Sequence, residues 1–86
     1  MHTVEVLDEA VHVAKRLGYG IRHEWLGGST GGGCEIAGEK WMFVDLALSP
    51  FEQLDQIVQS LRIDPQVHAV PMSGPLRDLM QLRRSA

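Results

Sequence analysis

The chain has a single cysteine in 86 residues. That excludes an internal disulfide framework and makes a reducing compartment the simpler setting. Basic residues are sparse: 8 Lys and Arg stand against 11 Asp and Glu, for a formal charge of -3. A general nucleic-acid binder, which needs clustered cations for its phosphate contacts, is therefore excluded. Arg77, Arg83 and Arg84 are too dispersed to change this, and suit the end of a last helix and solubility. Long hydrophobic runs are missing too. The longest, Trp41-Met42-Phe43-Val44, is far too short to span a bilayer. The acidic start, Met1 to Asp8, lacks the basic-then-apolar layout of an export signal, so the expected location is cytoplasmic, with no membrane partner.

What is present is the composition of a folded domain. Hydrophobic residues make up 44% and charged residues 22%, which is incompatible with wholesale disorder. The length allows one core, so residues 1–86 are read as a single domain. Val4, Leu7, Ala10, Val11, Ala14 and Leu17 recur at helical spacing after Thr3, read as the N-cap, and Gly18 stops the helix. From Tyr19 to Leu26 the period changes to two, as in a strand. Gly27-Gly28-Ser29-Thr30-Gly31-Gly32-Gly33 must be a loop, since neither a helix nor a central strand tolerates so many glycines.

Cys34 to Ala37 and Lys40 to Leu46 then read as a hairpin with Gly38-Glu39 as a type II′ turn. That turn sets Ile36 against Trp41 and Cys34 against Phe43. If the glycine loop closes symmetrically, Ile21, His23, Trp25, Cys34, Ile36, Trp41, Phe43 and Asp45 share one face, expected beneath the helices. Leu26, Met42, Val44 and Leu46 are left on the other face, with Arg22, Glu24 and Glu35. Ser49-Pro50-Phe51-Glu52 is a capping-box helix start, with Phe51, Leu54, Ile57, Val58 and Leu61 as the buried stripe. Asp64-Pro65 ends that helix. Val67 to Val70 is a possible edge strand, and Gly74-Pro75 opens a short helix to about Arg83. The expected fold is α+β, a two-layer sandwich in the order α-β-β-β-α-(β)-α, with a three-stranded antiparallel meander and helices on one face.

Several groups are candidates for chemistry. The glycine run superficially resembles an anion-cradling nest, but Cys34-Glu35 stands where a phosphate loop needs Lys and Ser or Thr, and a strand follows instead of a helix. A ligand site built on it would use Gly28, Ser29, Thr30, Gly31, Gly32, Cys34 and His23. Cys34 with His23 on the same face is the only pairing able to supply a nucleophile, but burial under the helices leaves the thiol inert. Asp45 is read as a carboxylate bonded to backbone N–H groups of the following turn in preference to a general base. His2, His12, His23, His68 and Cys34 show no metal-ligand spacing, so no metal or cofactor is expected.

From Gly32 to Asp45 the chain reads Gly-Gly-Cys-Glu-Ile-Ala-Gly-Glu-Lys-Trp-Met-Phe-Val-Asp, followed by the capped helix at Ser49. This resembles a group of small bacterial proteins of unassigned function, over roughly residues 19 to 62, and the resemblance implies no particular activity. The strand-turn-strand-helix order is also similar to the start of small zinc peptidases that act on phage-type repressors. Their helix carries H-E-x-x-H, whereas Phe51-Glu52-Gln53-Leu54-Asp55 has no histidine, so the analogy implies a lost metal site.

The expectation is thus a non-enzymatic interaction or structural module that forms a homodimer through that sheet face or a free edge strand, with Leu26, Met42, Val44 and Leu46 at the interface and the glycine loop as an accessory surface. The alternative is a small-ligand or anion-binding protein, or a minor thiol enzyme, using the glycine loop with Cys34 and His23.

Overall fold

The computed structural model describes residues 2–28 and 31–81. The order is α1 (Thr3–Arg16), β1 (Gly20–Glu24), β2 (Gly32–Ile36), β3 (Glu39–Asp45), α2 (Pro50–Leu61), a short 3-10 turn (Val67–Ala69) and α3 (Gly74–Met80). The fold is α+β, with three helices on a three-stranded mixed sheet. No described helix is long and apolar enough to cross a membrane.

The helices form where their caps and periodicity direct. α1 buries Val6, Leu7, Ala10, Val13 and Ala14; His2, not Thr3, is its N-cap residue. Gly18 follows the helix at φ 96°, a conformation that costs glycine least. α2 carries the full capping box. Ser49 Oγ accepts from the Glu52 N–H, and the Glu52 carboxylate accepts from the Ser49 N–H at 3.1 Å. α3 is capped by Ser73 and ends at Gln81 in the left-handed region, short of Arg83, which with Leu82 and Arg84 lies outside the described residues.

The sheet departs from the expected meander. Its order is β1-β3-β2, with β1 parallel to β3 and β2 antiparallel to it. Sequence neighbours β1 and β2 are therefore the two edges, and β3 lies between them. The segment expected as a fourth strand is the 3-10 turn, closed by the Ala69 N–H on the Gln66 carbonyl at 3.0 Å.

The β2–β3 turn is also different. Ala37 and Gly38 take φ of 53° and 81°, a two-residue turn of the type I′ class in place of Gly38-Glu39. Ile36 therefore pairs with Glu39, Cys34 with Trp41 and Gly32 with Phe43. This is a two-residue shift from the expected register. Because side chains alternate with period two, the grouping of β2 and β3 residues by face survives it. β1 does not share that grouping, since Ile21 pairs with Met42 and His23 with Val44.

The buried face is the opposite of the one expected. Met42 and Val44 are 0% and 2% exposed and pack with α1, α2 and α3 in the core. They cannot be interface residues of the folded chain. Leu46 is 37% exposed and Leu26 half-buried, both beyond the strand ends. The open face carries Trp41 and Phe43, half-buried, with Cys34 and Ile36 exposed.

Two glycines account for this choice. A Cβ on Gly33 would sit 3.2 Å from Ser60 Cβ and 3.4 Å from the Tyr19 ring, so α2 approaches the sheet only where β2 lacks a side chain. On the other face, a Cβ on Gly20 would lie 2.7 Å from the Trp41 ring, so the indole occupies the space over Gly20. Tryptophan fits the open side because glycine leaves room for it there.

The face assignment predicts unequal mutational costs. Met42→Ala should destabilise by about 2–5 kcal/mol through a core cavity. Ile36→Ser on the open face should cost about 0.5 kcal/mol or less. Urea unfolding of the two variants checks this.

Candidate functional site

The proposed nucleophilic pair does not assemble. Cys34 shares its register position with Trp41 on the open face, whereas His23 shares its position with Val44 on the helix side. β3 also lies between their strands. The thiol is exposed, contrary to the expected burial. Among the described residues, no group of three or more His, Cys, Asp or Glu side chains is placed to hold a metal ion.

The glycine run divides into two parts with different physical roles. Gly27 and Gly28, at φ 70° and 85°, turn the chain after β1. Gly31, Gly32 and Gly33 then lie against α2, where added Cβ atoms would meet Gln56 and Ser60. The Gly33 N–H donates to Ser60 Oγ at 2.8 Å, and Ser60 Oγ donates to the Gln56 carbonyl at 3.1 Å. These glycines serve close strand–helix packing. Ser29 and Thr30, expected in the same loop, lie outside the described residues.

Asp45, at the end of β3, is the buried centre of this region. Its Oδ1 accepts from the Leu26 N–H at 3.0 Å and the Ala47 N–H at 2.8 Å, and its Oδ2 accepts from the Gly28 N–H. The Gln53 amide donates to the Asp45 carbonyl at 2.9 Å and to the Leu48 carbonyl at 3.2 Å. Burial alone would raise the carboxyl pKa, but the N–H groups of Leu26, Ala47 and Gly28 outweigh it and hold the group below its ordinary value. Asp45 is an anchor for the loop that joins the two edge strands. The backbone bonding expected of it reaches across to the β1–β2 loop as well as into the local turn.

A second polar cluster went unread in the sequence. Lys40 Nζ bonds Asp64 Oδ2 at 2.8 Å and the Leu17 carbonyl at 3.0 Å, and lies 4.4 Å from the centre of the Tyr19 ring. The Tyr19 hydroxyl donates to the same Asp64 oxygen at 3.2 Å, and the Gln66 N–H donates to Oδ1 at 2.9 Å. Burial would raise the Asp64 pKa, but Lys40, Gln66 and Tyr19 together hold it low. The hydrogen bond to Asp64 raises that of Lys40 despite partial burial. Burial, then the Asp64 charge, raises that of Tyr19.

These groups floor an open depression of about 610 Å³ that Gly33, Glu35, Ser60 and Ile63 also line. Both oxygens of Asp64 are already engaged, so the cluster acts as a tie between the end of α1, β3 and the segment after α2. The one signal for it was Lys40 alternating with Met42 and Val44, a cation on an otherwise apolar strand face.

The sheet itself presents the remaining surface. On the open face, Arg22 lies 5.9 Å from the centre of the Trp41 ring and 3.3 Å from the Glu24 carboxylate. Trp25, just past β1, is 75% exposed, and Ile36 is 54% exposed. The chain matches no protein-family model, no curated protein and no solved structure.

The depressed carboxyl pKa values predict acid sensitivity. Stability held by Asp45 and Asp64 is fully present above the unfolded carboxylate pKa of about 3.9 and drains away as pH falls through the lower folded values. Thermal melts between pH 2 and 6 should show the loss. Asp45→Asn should melt lower than the parent at pH 7, because an amide nitrogen faces N–H donors, and should vary less across this range, because an amide does not titrate.

Proposed function

We propose that this chain is a non-catalytic interaction module that self-associates through its sheet. The observation that carries the reading is the one-sided cover of that sheet. All three helices pack into the core with Met42 and Val44, while Trp41, Phe43, Cys34 and Ile36 remain on the uncovered side. Trp25 at 75% exposure adds a large apolar side chain at the end of an edge strand. Exposed aromatic and aliphatic groups grouped in this way mark protein contact surfaces, and tryptophan is enriched where binding energy concentrates.

The polar groups support the same reading. Asp45 and Asp64 take part in hydrogen bonds that hold the fold together, and the exposed thiol has no imidazole on its own face. Of the interface residues expected from sequence, Met42 and Val44 are buried in the core, so the association uses another part of the sheet.

Light scattering across a concentration series tests self-association. The weight-average mass is expected to rise from that of one chain toward twice that value in the micromolar to high-micromolar range. A mass that stays at one chain throughout overturns the proposal.

A further inference from the structure

β1 exposes a backbone edge whose side chains are complementary to a second copy of themselves. The Leu46 N–H donates to the Glu24 carbonyl at 2.8 Å, and the Leu26 N–H donates to the Asp45 carboxylate at 3.0 Å, so Glu24 and Leu26 both turn their backbone toward β3. In a parallel ladder alternate residues face the neighbour. Gly20 and Arg22 accordingly turn inward with Glu24, and Ile21, His23 and Trp25 turn their N–H and C=O groups outward from the sheet. None of the described strands lies beyond β1.

We propose that two copies join through β1 as an antiparallel strand pair with the two-fold axis at His23. This assignment rests on the self-association proposed above and says where it occurs. Centred there, His23 meets His23 of the second copy as a hydrogen-bonded pair, and Ile21 meets Trp25 in the same way. Arg22 falls opposite Glu24 of the second copy, twice, at the closely spaced non-hydrogen-bonded positions where side chains interact most. The segment Ile21-Arg22-His23-Glu24-Trp25 thus pairs apolar with apolar and cation with anion when run against itself. Trp25 gains a partner, and the two sheets become one of six strands.

The other edge is less suited. Ile36 and Glu39 flank the two-residue turn, so they exchange hydrogen bonds and leave Gly33 and Glu35 pointing outward from β2. The Gly33 N–H is already taken by Ser60. A two-fold pairing centred on Glu35 opposes two carboxylates, and one centred on Cys34 needs the occupied Gly33 N–H.

Three measurements on the full chain test the placement. In a Cys34→Ser background, His23→Cys should give a disulfide-linked dimer on mild oxidation. The Cα atoms of such a pair lie about 5.5 Å apart, inside the range of about 4.4–6.8 Å that a disulfide spans. Glu35→Cys in the same background should form no disulfide-linked dimer. Glu24→Arg should weaken association about tenfold or more, and the double exchange Arg22→Glu with Glu24→Arg should restore it. In unsubstituted protein, acrylamide quenching resolved with Trp25→Phe and Trp41→Phe should show Trp25, and not Trp41, becoming protected with concentration.

Cross-linking through Glu35→Cys, protection of Trp41 in place of Trp25, or no rescue by the double exchange overturns the β1 geometry while a dimer mass persists. A chain that remains monomeric overturns the self-association reading with it.

Discussion

The architecture depends on how a buried carboxylate at the end of the central strand is satisfied. Burying an ionised aspartate without partners is prohibitive. Asp45 avoids that cost by collecting N–H groups from Leu26, Gly28 and Ala47, two from the β1–β2 connection and one from the turn toward α2. β1 ends and β2 begins beside the end of β3, so their connection has to cross over that end. Gly27 and Gly28 adopt the left-handed backbone that brings N–H groups down onto the carboxylate. The order β1-β3-β2 is stabilised by this contact, because a meander would place no loop above Asp45.

The helices were legible in the chain because their signals are local. The capping box at Ser49 and Glu52, the stripe Leu54, Ile57, Val58 and Leu61, and the stop at Gly18 each concern residues within a few positions of one another. The strands were legible for the same reason, except that Gly32 and Gly33, read as loop, are the first two residues of β2. Which strands pair was not, since the parallel contact of Ile21 with Met42 joins residues far apart in sequence, and nothing between them announces it. The buried face was hidden differently. Period two groups Trp41 with Phe43 and Met42 with Val44, but both groups are apolar, so hydrophobicity cannot choose between them. Room on either side decides: the gap over Gly20 accepts the Trp41 ring, and the gap at Gly33 admits Ser60 of α2.

The same glycines explain why sequence reasoning about the site went astray. A glycine-dense loop next to a cysteine carries the outward signs of ligand binding, yet Gly31 to Gly33 are needed because β2 runs close against α2. Cys34 and His23 looked adjacent only under a closure that makes β1 and β2 neighbours. The Lys40–Tyr19–Asp64 cluster escaped notice because its members come from three segments that only the folded chain unites. Asp64 before Pro65 read only as a helix terminator; α2 already ends at Leu61, and the Asp64 carboxylate draws Lys40 across the layer between helices and sheet.

The two sheet edges end up treated unequally, and this inequality bears on association. An unprotected edge invites indefinite strand addition, so soluble proteins cover or charge such edges. β2 is restricted by Ser60 on the Gly33 N–H and by the exposed Glu35. β1 has charges of both signs, Arg22 and Glu24, which deter pairing with a strand of one charge but fit the same strand reversed. A contact between identical surfaces closes on itself, because each copy spends its β1 edge in making it. What then remains outward is β2 on either side, with its Gly33 N–H already taken by Ser60. In the proposed pairing, growth would stop at six strands, and the sides of the two sheets bearing Trp41 and Phe43 would join into one surface.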